Sequence, residues 1–288
     1  MAAPDTSETA PPRRDDAGTF KITDRDITGL ELCAEHYGAP YDLLAAALDV
    51  TVDRLRGITA RWRHAGYAHT GSLGRGPAWC WLTPAGMRLL GRAYTAKEPS
   101  VIRLAHIRAV LAVRLWLQSG DLYQDKQAWW RSERRIRAAA GGHVGIAHIP
   151  DAEVHWPSLE DSPYGGQIWA IEAELTPKPL DRTVAIMRAM LARTSDYGPA
   201  TSTSREPRYG QIVYLAARPA LPTVTHAIAQ LPPQLQARMT VRDLPPSALR
   251  QPPRHPAPAG HPPLRVKGRS CLRRGPPVPG PPRQPCPP

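Results

Sequence analysis

Residues 167–175 read QIWAIEAEL, and the alternation in this stretch decides the fold. Trp169, Ile171, Ala173 and Leu175 share one parity and Glu172 and Glu174 the other, the period-two pattern of a strand with one apolar face. It is the last of three extended stretches expected over 127–137, 145–156 and 167–175. A helix is expected before them over 101–118, with Leu104, Ile107, Leu111 and Leu115 as its stripe and Arg103, Arg108 and Arg114 among its polar positions. After them come a helix over 180–193, an apolar strand QIVYLAA over 211–217, a helix near 224–231 and a strand over 239–243. The order α-β-β-β-α-β-α-β across residues 100–250 predicts a mixed sheet flanked by helices, an α+β domain.

Upstream, residues 20–97 have a different rhythm. Thr23 caps a helix bearing Ile27, Leu30 and Ala34, residues 41–48 form a second, and Thr51 caps a third. The third places Val52, Leu55, Ile58 and Trp62 on a core stripe and Asp53, Arg54, Arg56, Thr59, Arg61 and Arg63 on the remaining face, and it stops at Gly66. A glycine-rich basic turn, GSLGRG over 71–76, carries Arg75 and leads into the strand AWCWL, 78–82. Thr83-Pro84-Ala85-Gly86 opens another helix, with proline in its first turn. Three helices and a two-stranded wing outline a winged helix-turn-helix, whose third helix reads a major groove. Arg54, Arg56, Arg61, Arg63 and Arg75 are the candidate contacts to double-stranded DNA. An arginine-rich helix face also occurs simply because it is solvated.

The chain has 288 residues and a formal charge of +12, with arginine far outnumbering lysine. A guanidinium stays charged and pairs with phosphate in a planar fork, so a polyanion is the first partner to consider. Residues 251–288 hold 14 prolines, seven basic residues and no acid. They supply +7 of the charge and are expected to be disordered, as are residues 1–19. A shifted reading frame in GC-rich DNA would also produce such a tail. Four scattered cysteines without a CxxC pair exclude a disulfide framework and a structural zinc site. The lack of a long apolar run or a leader argues for a cytoplasmic protein without membrane association. The sequence sets no oligomeric state.

The chemistry-bearing constellation is Pro150-Asp151 followed by Glu172-Ala173-Glu174. If the second and third strands pair, Asp151 approaches Glu172, and two carboxylates on adjacent strands suit a hard divalent cation such as Mg²⁺. Acids on the solvent face of an amphipathic strand are the plainer reading. Lys178 shares the parity of Glu174, although Pro177 and Pro179 are expected to end the strand. Glu133 is expected on the first strand with Arg131 or Arg135 as partner, and Trp129-Trp130 as core or as a base-stacking pair. His143 and His148 match no common zinc spacing. No GxxxxGK[ST], GxSxG or HExxH occurs, which removes support for nucleotide hydrolysis, serine esterase and zincin chemistry.

These motifs, in this order, resemble the PD-(D/E)xK nuclease-type core. The span from about 22 to 245 resembles the replication-relaxation family of actinobacterial plasmids and mobile elements. The resemblance rests on Thr23-Asp24-Arg25-Asp26, Leu82-Thr83-Pro84-Ala85-Gly86, Trp130-Arg131-Ser132-Glu133, Pro150-Asp151-Ala152 and the acid–x–acid strand. It implies a winged helix followed by a nuclease-like domain, a role in plasmid replication and DNA relaxation, and replication proteins as further partners. It also implies Asp151, Glu172, Glu174 and Lys178 as the catalytic set, with Asp151 and Glu172 holding Mg²⁺. The sequence departs from that pattern at Glu174, where an active core carries lysine. A Mg²⁺-dependent nickase and a winged-helix transcriptional regulator stand as alternatives to a DNA-binding replication protein.

Overall fold

The computed structural model describes residues 21–74, 76–119, 128–139, 148–158, 165–193 and 208–249. These belong to one compact unit of mixed α and β structure. Both expected tails, residues 1–19 and 251–288, lie outside the described residues.

The first elements are α1 (Asp24–Glu35), β1 (Ala39–Pro40), α2 (Tyr41–Ala47), α3 (Val52–His64), β2 (Ala68–Gly71), β3 (Trp79–Leu82) and α4 (Pro84–Leu89). Thr23, Thr51 and Thr83 cap α1, α3 and α4, each accepting a backbone N–H three residues on. At α1 the cap is reciprocal, since Asp26 accepts from the Thr23 N–H at 3.0 Å. Asp26 also accepts from Trp62 Nε1 at 2.8 Å, which ties α1 to α3. Burial opposes ionisation of Asp26, but its bonds to Thr23 and Trp62 more than offset this and hold its pKa below the usual value.

Leu55, Ile58 and Trp62 fill the core as the periodicity predicts, whereas Val52 at the helix start is exposed. Thr59, expected on the polar face, is fully buried and bonds the Tyr41 hydroxyl at 2.6 Å. Gly66 follows α3 at φ +75°, a left-handed conformation that favours glycine. The small sheet has the order β1-β3-β2 and is antiparallel throughout.

A single 3₁₀ turn (Val101–Arg103) leads into α5 (Leu104–Ser119). Then follow β4 (Trp129–Ser132), α6 (Glu133–Ala139), β5 (Ala152–His155), β6 (Ile168–Glu174), α7 (Leu180–Leu191), β7 (Gln211–Ala216), α8 (Leu221–Ala229), α9 (Pro233–Gln236), β8 (Met239–Asp243) and α10 (Pro246–Leu249). The second sheet has five strands in the order β4-β5-β6-β7-β8. Its first two pairings are antiparallel and its last two parallel, so the sheet is mixed as expected. The two parallel connections run through α7 and α8, which share a hydrophobic cluster over one face. The other face packs on α5 in a cluster that continues into α1–α3.

Three expectations over this region are corrected. The first stretch is extended only to Ser132. Glu133–Ala139 (ERRIRAA) is helix, because it consists of good helix formers, buries Ile136 and pairs Glu133 with Arg137 at i,i+4 and 2.7 Å. The second strand begins at Ala152, so Asp151 stands just before it rather than within it. Of the third stretch, the parity holds, but the acid-bearing face is no solvent face. Helices α7 and α8 cover it, and Glu172 and Glu174 are buried. No helix among the described residues is long and apolar enough to cross a membrane.

Candidate functional site

Two surfaces gather the candidate residues. On α3, Arg54, Arg56, Arg61 and Arg63 are all exposed. Arg56 donates to Asp53 at 2.5 Å and Arg61 lies 3.8 Å from Asp26, while Arg54 and Arg63 make no ion pair with any described residue. Between them stands Gly57, exposed, with nothing within 4 Å of where a Cβ would lie. Arg75 lies outside the described residues.

The second surface is a cleft of about 730 Å³ beside the junction of β5 and β6. Antiparallel pairing of Ala152 with Ile171 brings the residues on either side, Asp151 and Glu172, together. Asp151 Oδ2 accepts the N–H of Ala173 at 2.9 Å, and Oδ1 accepts from His106 Nε2 at 2.8 Å. Glu172 Oε1 accepts from His148 Nε2 at 2.7 Å. Lys178 reaches back past the end of β6 and donates to Glu174 Oε2 at 2.5 Å. All four expected catalytic residues therefore line one cleft.

The electrostatics differ between the two acids. Burial disfavours the charge on Asp151, yet the His106 bond and the Ala173 N–H hold its pKa below the usual range. For Glu172, burial and the neighbouring Asp151 charge both push upward, to about 7. Burial works against charge on His106 and His148, but the carboxylates they bond raise both above an ordinary histidine. The cleft thus holds one firmly ionised carboxylate beside one that takes up a proton near neutrality.

Asp151 and Glu172 are the two adjacent carboxylates that a divalent cation would use here. Mg²⁺ takes one or two carboxylates and completes its shell with water and phosphate oxygens, so a larger protein cage is unnecessary. Among the described residues no group of three or more His, Cys, Asp or Glu side chains is placed to hold a metal ion.

Several participants escaped the sequence reading. His106 comes from α5, where it and Arg108 are the two polar residues in LAHIRAVLAV. Arg103, Arg137 and Arg182 line the cleft as well. Glu133 bonds Arg103 at 3.1 Å and Arg137 rather than Arg131 or Arg135. Arg131 instead joins Glu153, at 3.3 Å, and Arg135 lies 3.6 Å from Glu35. Of the tryptophan pair, Trp130 is core and Trp129 is half exposed, stacked on His155 with ring centroids 3.9 Å apart. His143 lies outside the described residues. Compared with known proteins, the chain matches no family model, no curated protein and no solved structure.

Proposed function

We propose that this chain is a double-stranded-DNA-binding protein of a plasmid or other mobile element, acting in replication and DNA relaxation, in the cytoplasm. The observation that carries the reading is the exposed arginine face of α3. Four guanidinium groups stand on one short helix, and two of them make no ion pair with described residues. The order α1-β1-α2-α3-β2-β3 supports a winged helix-turn-helix reading, in which α3 would enter the major groove. Most of these arginines would hold phosphate and set affinity, and one or two would read guanine edges. The setting in replication, and replication proteins as partners, follow from the resemblance to replication-relaxation proteins. Duplex affinity measured against salt tests the reading. Binding that ignores ionic strength would count against it.

A second reading, a Mg²⁺-dependent nickase, is favoured by the convergence of Asp151, Glu172, Glu174 and Lys178 in one cleft. Asp151 and Glu172 would hold the ion, which when bound polarises a phosphoryl oxygen and acidifies water. The chain's own part is to position. Ala173 N–H and His106 orient Asp151, and His148 orients Glu172. Lys178 provides the ammonium that the nuclease pattern expects in place of Glu174, delivered from four residues further along. Incubating supercoiled plasmid with Mg²⁺ or Mn²⁺ tests this reading, with Asp151→Ala and Glu172→Ala as controls. A winged-helix transcriptional regulator, by contrast, predicts a palindromic operator and no nicking.

A further inference from the structure

The lip of the cleft carries an apolar feature that neither reading uses. Val101 and Ile102 are 64% and 94% exposed, adjacent in the 3₁₀ turn that starts α5. Ile102 lines the same cleft as Asp151 and Glu172, and His106, bonded to Asp151, lies four residues further along. A single exposed isoleucine is unremarkable, but a neighbouring apolar pair at the mouth of a polar cleft is a different matter.

The charges around this pair are layered. The carboxylates are recessed, with side-chain exposures of 13% for Asp151, 5% for Glu172 and 8% for Glu174. The cations stand further out, at 44% for Arg103, 55% for Arg137 and 33% for Lys178, with Arg103 and Arg137 sharing Glu133 at 17% and Lys178 paired with Glu174. Arg182 is exposed and makes no ion pair with a described residue. An anionic chain approaching the cleft therefore meets guanidinium groups and an apolar tip before it meets acid. At about 730 Å³ the space is that of a small-ligand site, large enough for part of one strand.

We propose that this cleft takes an unpaired DNA strand, with Arg103, Arg137 and Arg182 holding its phosphates and Val101–Ile102 packing on an unstacked base. Cationic grooves paired with base-contacting side chains bind single strands, and isoleucine is among the residues that wedge between base steps. The proposal rests on the DNA-binding reading and adds to it the substrate form that the cleft accepts. In this arrangement α3 supplies affinity for duplex and the cleft selects a locally opened segment.

The test uses the full chain, metal-free in EDTA, with fluorescent DNA of one length and sequence as a perfect duplex and as a duplex with a central mismatched bubble. The bubble is expected to bind about tenfold more tightly than the duplex, the worth of one good base contact. Ile102→Ser and Arg182→Ala should each reduce that preference while leaving perfect-duplex affinity unchanged. Because both side chains are exposed, the thermal melt should not move. Equal affinity for the two DNAs, or a preference that survives both substitutions, overturns the proposal. So does a dimer in sedimentation that Ile102→Ser dissolves while the bubble preference stays, since the apolar pair would then belong to a second copy. Loss of all duplex binding in the unsubstituted protein would instead sink the DNA-binding reading itself.

Discussion

Asp151 accepts the backbone N–H of Ala173 at 2.9 Å, the residue that separates Glu172 from Glu174. This one bond pins the entry to β5 against the strand bearing the other two acids. It also leaves the second oxygen of Asp151 to His106. If the cleft cleaves phosphodiesters, Asp151→Asn and Glu172→Gln should each lower metal-dependent nicking of supercoiled plasmid by about 100-fold or more. Gel quantification of the nicked form checks this, and nicking equal to the unsubstituted protein would exclude the enzyme reading.

Arg54 and Arg63 are exposed and make no ion pair with a described residue. Arg54→Ala and Arg63→Ala should therefore leave the melting temperature in place while weakening duplex binding. Where each contacts a phosphate, the slope of log affinity against log salt should fall by about 1. Anisotropy titrations at several salt concentrations measure it.

Gly57 sits in the middle of α3 with open space on its outer side. Glycine there costs the helix about 1 kcal/mol relative to alanine, and the fold does not require it. Gly57→Ala should raise stability by that amount. If α3 lies close against DNA, the same substitution should lower duplex affinity, so the two effects carry opposite signs. A substitution that stabilises and leaves binding untouched would separate Gly57 from the interface.

Gly86 is the contrasting case. A Cβ at this position would lie 2.2 Å from the carbonyl oxygen of Tyr67, a backbone atom that cannot swing aside. Gly86→Ala should destabilise by about 2 kcal/mol through overpacking, read as a lowered urea midpoint.

Glu153 is fully buried between Arg208, Arg131, Tyr209 and His155. Burial opposes its charge, but His155 and Arg208 bring its pKa down to about 2 from the model-peptide value of 4.5. A depressed acid stabilises the folded chain above its unfolded pKa and loses that contribution as pH falls through the folded one. The window here is pH 4.5 down to about 2, with about 3 kcal/mol lost across it. Glu153→Gln should flatten this acid limb and destabilise the protein at pH 7 by about 3 kcal/mol or more, because Arg208 keeps its burial and loses its partner. An unchanged acid transition would contradict the assignment.

Much of the secondary structure was legible because its signals are local. Thr23, Thr51 and Thr83 each announce a helix that begins at the next residue, and the parity of QIWAIEAEL marks a strand wherever it packs. Residues 133–137, expected as part of the first extended stretch, belong instead to α6. The i,i+4 pair of Glu133 and Arg137 is local, but the burial of Ile136 and the bond from Arg103 to Glu133 are not displayed by a window of sequence.

The sequence by itself determined that this chain has capped helices ahead of a mixed sheet, an arginine face on α3, and acids on one parity of β6. Capping and periodicity are properties of neighbouring residues. Only the tertiary structure decided that the acid parity lies under α7 and α8, and that His106, 45 residues away on α5, bonds Asp151. Only it set Lys178 beside Glu174 and the proton affinity of Glu172 near neutral. Ionisation depends on burial and on the charges nearby, and both come from segments that meet only when the chain is folded.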